Sequence, residues 1–261
     1  MSFANKSPSE TNKDILIVDN SNNGVDSTVR SVKSGSGTES SGSVSDRSLK
    51  VKSVTNNTVA LDVQNSGGTS RLAVDTTNDT LKALDNHLNT NYKDFGVYDF
   101  SPSIGVHYPM VANNMMFSDS GDDFVGTTDF GSGTDPATTW DASAGTPKIV
   151  VASMWRLQDD IYIDQASGLI TADDGQHFTF HIYSYDLSVS LGTTGDLSNG
   201  TLLAHASSTG ALSASEVLIR AITFTIDSAS VASGKVIIAF VEGTSGSDDI
   251  TCNVNLKYHL I

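Results

Sequence analysis

The chain has 261 residues, a formal net charge of −15 at pH 7, a sequence pI near 4.5 and one cysteine. Nucleic-acid binders draw much of their affinity from clustered Lys and Arg, so an acidic balance of this size argues against nucleic acid and against an anionic membrane as partners. One cysteine excludes an internal disulfide and a multi-thiolate metal site, and Cys252 is expected to be a small buried hydrophobe.

The N-terminal third contains almost no large apolar side chains. No Phe, Tyr or Trp occurs between Phe3 and Tyr92, and residues 1–48 are dominated by Ser, Asn, Asp, Thr and Gly around one apolar island at residues 15–18. Such a segment buries too little apolar surface to offset the entropy of ordering its backbone. Two interpretations remain open, a disordered tail and an extended arm that docks on a larger partner through the island. The first residues also lack a secretory signal pattern, so we expect synthesis in the cytoplasm.

From Leu49 onward the apolar residues alternate with polar ones. A period of two predicts short β-strands with one apolar face, and Asn, Gly and Asp clusters between them predict tight turns. A lone meander of this size leaves its apolar face uncovered, whereas three copies around one axis would cover these faces. We therefore interpret residues 49–95 as a thin intertwined shaft, with a loosely packed β-extension of the head as the alternative. The expected subunit contacts of the shaft are Val59, Leu61, Val63, Leu72, Val74 and Leu81.

Residues 96–261 are expected to form a self-sufficient head. Long strands rich in aromatic and β-branched residues are predicted at residues 147–157, 177–191, 217–226, 235–243 and 249–261, and no segment has a clear helical period. Strands of this length between turn-rich loops predict an antiparallel β-sandwich of the jelly-roll type, so the whole chain is expected to be all-β.

The strand patterns predict which faces are buried. In the last strand the inward face consists of Ile250, Cys252, Val254, Leu256, Tyr258 and Leu260. Residues 236–241 are apolar on both faces, as expected of a strand that is covered on both sides, and the second cover is interpreted as a subunit contact. The expected trimer contacts of the head are His177, His181, Ile237 and Val241.

Residues that could carry chemistry are few. His177 and His181 share one side of a predicted strand, where they could bind a metal at a threefold axis, but polar residues at a subunit contact are the preferred interpretation. The chain has no G-x-S-x-G elbow, P-loop, dinucleotide-binding glycine fingerprint or H-E-x-x-H sequence, and its loop carboxylates lack EF-hand spacing. We expect no enzymatic activity, no cofactor and no metal. Aromatic residues that could stack on a sugar are Trp140, Trp155, Tyr162, Tyr183 and Tyr185.

Two segments resemble known proteins. Residues 13–51, KDILIVDNSNNGVDSTVRSVKSGSGTESSGSVSDRSLKV, resemble the N-terminal segment of virion structural proteins from tailed bacteriophages, particularly marine ones. Residues 59–83, VALDVQNSGGTSRLAVDTTNDTLKA, are similar to the strand repeats of phage fibre and decoration proteins through the GGTS turn and the VDTTN sequence. The head has only a general likeness to trimeric jelly-roll knobs on virions.

The resemblance implies a homotrimer on the virion surface that binds the major capsid protein or another virion protein. On this basis the attachment motif is Lys13, Asp14, Ile15, Leu16, Asp19 and Asn20. The chain is short for a fibre that must reach a receptor, so we expect a capsid-surface decoration or cement protein, or a short head fibre. The alternatives are a tail fibre or receptor-binding protein that recognises a host surface glycan or protein, and a glycan-cleaving enzyme.

Overall fold

The computed structural model describes residues 16–21, 23–52, 55–77, 80–84, 86–112, 129–141, 147–172, 177–188, 196–207, 219–245 and 249–261. Within these ranges the chain consists of antiparallel β-strands and one short helix, which confirms the all-β expectation. The chain divides into two compact units between Leu88 and Asn89, inside the segment predicted as the shaft.

The first sheet of the N-terminal unit is a four-stranded antiparallel meander. Its strands, in spatial and chain order, are β1 (Leu16–Val18), β2 (Arg30–Ser34), β3 (Glu39–Val44) and β4 (Leu49–Val51). The described part of residues 1–48 therefore differs from the extended arm that the sequence predicts. The turns explain the difference: Gly37 adopts a φ of 88° and its N–H donates to Ser34 O at 2.8 Å, which returns the chain against itself. Neighbouring strands thus satisfy backbone groups that an extended arm would leave for a partner.

The second sheet of this unit contains the predicted strand–turn repeat. Its strands are β5 (Leu61–Gln64), β6 (Ser70–Asp75), β7 (Thr80–Ala83) and β8 (Asn86–His87), again in spatial order. The turn between β5 and β6 is held by the side chain of Asn65, whose Oδ1 accepts hydrogen bonds from the N–H groups of Gly67 at 3.0 Å and Thr69 at 2.8 Å. This use of Asn is the mechanism by which such clusters favour turns.

The C-terminal unit is a sandwich of two antiparallel sheets. The first sheet has the order β10 (His107–Pro109), β19 (Val236–Ser245), β14 (His177–Ser188), β15 (Asp196–Ser207) and β17 (Thr225–Ile226), and β12 (Trp155–Arg156) also pairs with β19. The second has the order β11 (Val111–Ala112), β9 (Thr90–Phe100), β20 (Ile250–Leu260), β13 (Ile161–Ala172) and β16 (Arg220–Thr223), and β18 (Ser230–Val231) also pairs with β13. A continuous apolar core lies between the two sheets.

The predicted alternation of the last strand agrees with the structure along its length, since Tyr258 packs against the core and Leu260 pairs with buried Ile161. Leu260 remains 38% exposed at the strand end, whereas His259 pairs with Tyr162 and is buried on the opposite side. The register between β13 and β20 shifts between Ile163 and Gln165, at Asp164. Such a bulge adds one residue to one strand and re-aims the side chains beside it. The Asp164 carboxylate contacts the buried His259, with Oδ1 3.0 Å from His259 Nδ1.

Residues 147–157, predicted as one strand, instead form the helix α1 (Pro147–Ser153) followed by β12. The β-branched run after Pro147 favours a strand on propensity, whereas proline at the first helical position suits a helix because its fixed φ is already helical. Tertiary packing decides between them, since Val150 is fully buried while Val151 remains exposed.

Candidate assembly surface and a buried histidine cluster

The sheet β5–β8 carries an apolar face. Leu61 pairs with Val74, which pairs with Leu81, and in the next row Val63 pairs with Leu72, which pairs with Ala83. Directly paired residues point to the same side of a sheet. The six side chains therefore form one surface, which we call the assembly face: Leu61, Val63, Leu72, Val74, Leu81 and Ala83.

The assembly face is only partly covered in the part of the chain that the structure describes. Leu61 and Leu81 are each 41% exposed and Val63 is 49% exposed, while Leu72 and Val74 are half-buried. The opposite side of β5 is polar, and there Asp62 accepts a hydrogen bond from the Ser70 hydroxyl. The sheet thus separates an apolar side from a polar side, which is typical of a strand layer that packs against something else.

Five of the six predicted shaft contacts belong to this face. Val59 is the exception, since it precedes β5 in a turn where its N–H donates to Asn57 Oδ1 at 2.9 Å. Beside the face lies an open groove of about 400 Å³. Its lining residues are Val51, Lys52, Asn56, Ala60, Leu61, Val74 and Thr76.

The predicted attachment residues have unlike environments. Lys13, Asp14 and Ile15 lie outside the described residues, and Leu16 is 71% exposed on β1. Asp19 instead forms an internal ion pair, with Oδ2 2.7 Å from Lys33 Nζ, and this contact lowers the pKa of the Asp19 carboxyl. Asn20 is buried, and its Nδ2 donates to Gly24 O at 2.7 Å.

In the sandwich, Ile237 and Val241 have no exposed surface and belong to the core between the two sheets. The prediction that these two side chains contact another subunit is therefore wrong for the described structure. The strand β19 is apolar on both faces because the chain itself covers the second face. A second cluster there consists of buried Phe130, Val150, Tyr183, Tyr185, Leu197, Val236, Ile238 and Phe240, with Trp140, Met154, Leu187 and Leu202 packed against it.

Histidine side chains lie at the edge of this second cluster. His181 shares its face of β14 with Thr179, opposite the buried Phe178 and Phe180, as the sequence predicts. His181 is itself buried, and its ring centroid lies 5.1 Å from that of fully buried His107 in an edge-to-face arrangement. Burial and the neighbouring His107 lower the pKa of His181 to about 4. His177, the other predicted histidine contact, lies at the start of β14 and is half-buried.

Carboxylates approach this pair from two sides. Glu242 Oε2 lies 3.9 Å from His107 Nδ1 and accepts a hydrogen bond from the Thr179 hydroxyl. Asp135 Oδ1 lies 3.7 Å from His181 Nε2. Asp135 belongs to residues 129–137, which cross the outer face of the sheet and which we call the cover loop.

Sequence reasoning identified His181 but not His107, Glu242 or Asp135, because these residues come from separate elements with no characteristic spacing. One signal was present, since Glu242 is the only charged residue in the apolar run from Val236 to Gly243. A lone charge in a strand that is covered on both faces indicates a specific partner.

The five aromatic residues considered for sugar stacking do not form one platform. Trp140, Tyr183 and Tyr185 belong to the second cluster of the sandwich. Trp155 instead contacts Tyr258, with ring centroids 4.9 Å apart, and Tyr162 contacts the ring of His259 in the other sheet.

Among the residues that the structure describes, no three His, Cys, Asp or Glu side chains are placed to hold a metal ion. The described ranges also contain no helix that is long and apolar enough to span a bilayer. Comparison with models of known protein families gave no match, and no curated protein compared with the chain is detectably similar to it.

Proposed function

We propose that the chain is a non-enzymatic virion structural protein, a homotrimer that decorates or cements a capsid surface or forms a short head fibre. The observation that carries this proposal is the assembly face. Contact between water and these leucines, which are 41% exposed, is unfavourable. Other copies of the same chain would cover that surface. The virion setting is supported by the resemblance of residues 13–51 and 59–83 to phage structural proteins.

A closed ring of copies would cover the assembly face, and the number three comes from the resemblance to trimeric virion proteins. Each copy offers one apolar face and a short groove beside it, so rotation about a common axis would place the same residues against one another in every interface. Such closure would also cover open strand edges, which are otherwise prone to pair with foreign chains. The attachment function is assigned to residues 1–48, where Leu16 and Ile17 offer exposed apolar side chains.

Mass measurement tests the oligomer and particle binding tests the setting. Sedimentation equilibrium of the full chain is expected to give three times the monomer mass of 27.5 kDa, and a monomer at micromolar concentration would contradict the proposal. Deletion of residues 1–48 is expected to abolish association with virions while the trimer persists. Unchanged association would remove the attachment function from this segment. Adsorption of the purified protein to host cells, with protection from infection, would instead favour the tail-fibre alternative.

A further inference from the structure

His107 contacts the cover loop at three points, and the Tyr185 hydroxyl, which donates to Ala137 O at 2.9 Å, holds the end of the loop. The N–H of His107 donates to Gly131 O at 3.2 Å, and its carbonyl accepts from the N–H of Phe130 at 2.9 Å. Its side-chain Nε2 lies 3.2 Å from Gly133 O. Because a carbonyl oxygen only accepts, this contact places a hydrogen on Nε2.

The remaining ring nitrogens of the pair are left without partners. The Nδ1 atoms of His107 and His181 are both buried, and neither has a hydrogen-bond partner among the described residues. Glu242 Oε2 lies 3.9 Å from His107 Nδ1, which is beyond hydrogen-bond distance. The buried pair therefore offers no acceptor for a further N–H group at either Nδ1 atom among the described residues.

A proton on His181 is therefore poorly accommodated. It would place a charge in a buried site, with the ring centroid 5.1 Å from that of His107, and would add an N–H group with no acceptor in the described structure. Asp135 opposes this effect because it attracts a charged His181. The Asp135 side chain is 55% exposed, however, so water screens its charge.

The other ionisable groups around the pair come from the neighbouring strands. On the far side of His181, His205 Nδ1 lies 2.7 Å from Asp227 Oδ2, and these two groups largely offset each other. The ionisable groups that face the pair are Glu242 from β19, Tyr183 from β14, His205 from β15, Asp227 after β17 and Asp135 from the cover loop.

We propose that the cover loop is an acid-released latch: protonation of His181 releases the loop from the sheet and exposes the aromatic cluster beneath it, while the sandwich stays folded. Phe130 belongs to the loop, where it stacks on Trp140 with ring centroids 5.6 Å apart and covers Phe240 of the sheet at 4.8 Å. The surface that acid exposes is therefore apolar and aromatic, of the kind that protein interfaces use for contact.

The direction follows from proton linkage. With the loop closed, burial and His107 lower the pKa of His181 to about 4, whereas in water the value returns to 6.5. The open state thus binds the proton more tightly, and the opening equilibrium rises as pH falls from 6.5 to 4. The ratio of the two acid constants limits the rise to about 300-fold.

Tryptophan fluorescence tests the latch. The chain contains two tryptophans, so the variant Trp155→Phe leaves Trp140 as the only reporter. Acrylamide quenching of Trp140 is measured from pH 7.5 to 4 beside far-UV circular dichroism. We expect reversible access of the quencher to Trp140 as pH falls, at constant dichroism. Unchanged quenching down to pH 4, or loss of dichroism together with quenching protection, would overturn the proposal.

Three substitutions in this background separate the latch from general acid sensitivity. His181→Gln is expected to remove the transition, and His205→Gln, at a half-exposed histidine on the neighbouring strand, is expected to keep it. Asp135→Asn removes the opposing carboxylate and is expected to move the transition to higher pH. A transition unchanged in His181→Gln refutes the latch. Should that variant not fold, an unmoved or lower transition in Asp135→Asn does the same.

Discussion

Serine substitution of both Leu61 and Leu81 removes the two leucines that flank Val74 on the assembly face, and neither residue belongs to a buried core. Complete burial of a leucine side chain is worth roughly 1.5–3 kcal/mol. Because each of these leucines is 41% exposed in the single chain, covering them on association gains about 0.6–1.2 kcal/mol per residue. A homotrimer contains six such leucines, so the double variant is expected to lose about 4–7 kcal/mol of association free energy.

A loss of this size raises the overall dissociation constant of the trimer by about 1,000- to 100,000-fold. Sedimentation equilibrium across a range of concentrations measures it, and circular dichroism verifies that the strands persist. The matched control is Leu169→Ser, at a leucine that is 56% exposed on β13 in the other unit. A trimer of unchanged affinity in the double variant, or an equal loss in the control, would refute the reasoning from the assembly face.

Three further outcomes are expected. A Cβ at Gly168 would lie 2.5 Å from the backbone O of Asn253, so Gly168→Ala is expected to cost roughly 1–3 kcal/mol of unfolding free energy. Gly67→Ala, with its nearest contact at 3.5 Å, should leave the urea midpoint near that of the wild type. Lys235 Nζ lies 2.6 Å from Asp186 Oδ1 and lowers the pKa of that carboxyl. A carboxyl whose pKa is lowered in the folded state stabilises the fold above its ordinary pKa, and this stability is lost as the pH falls through the folded pKa. Lys235→Met should therefore lower the urea midpoint more at pH 7 than at about pH 3. An equal effect at both pH values would contradict the ion pair. Burial raises the pKa of the Cys252 thiol to about 12, so an alkylating reagent at pH 8 should label Cys252 only in denaturant. Rapid labelling of the native protein would contradict the burial of Cys252.

Several features of the fold were predictable because they depend on local periodicity. Alternation in β14 and β20 placed Phe178, Phe180 and Val254 inward, and the structure buries all three. The same alternation indicated the strands of the assembly face. Trimer formation, the virion setting and the attachment function stay predictions that the proposed experiments test.

Other features depend on partners that are distant in sequence. The choice between helix and strand for residues 147–157 depends on the packing of Val150 in an apolar cluster. The buried members of that cluster are spread between Phe130 and Phe240 in the sequence. The bulge at Asp164 changes which residues of β13 face inward, from Ile161 and Ile163 before it to Ala166 and Ile170 after it, and it becomes visible only in the pairing of two strands. The cover loop likewise supplies the second apolar contact of β19, which the sequence assigned to another subunit.

The sequence by itself determined the strand character of most segments, the polarity of each strand face and the small apolar surface of the N-terminal third. These features follow from the number and spacing of apolar residues within short segments. Only the tertiary structure decided the register of distant strands, the cover over β19 and the meeting of His107, His181 and Glu242. The physical reason is that the pairing of distant strands minimises the free energy of the whole sandwich. That free energy depends on contacts between segments and cannot be read from any one segment.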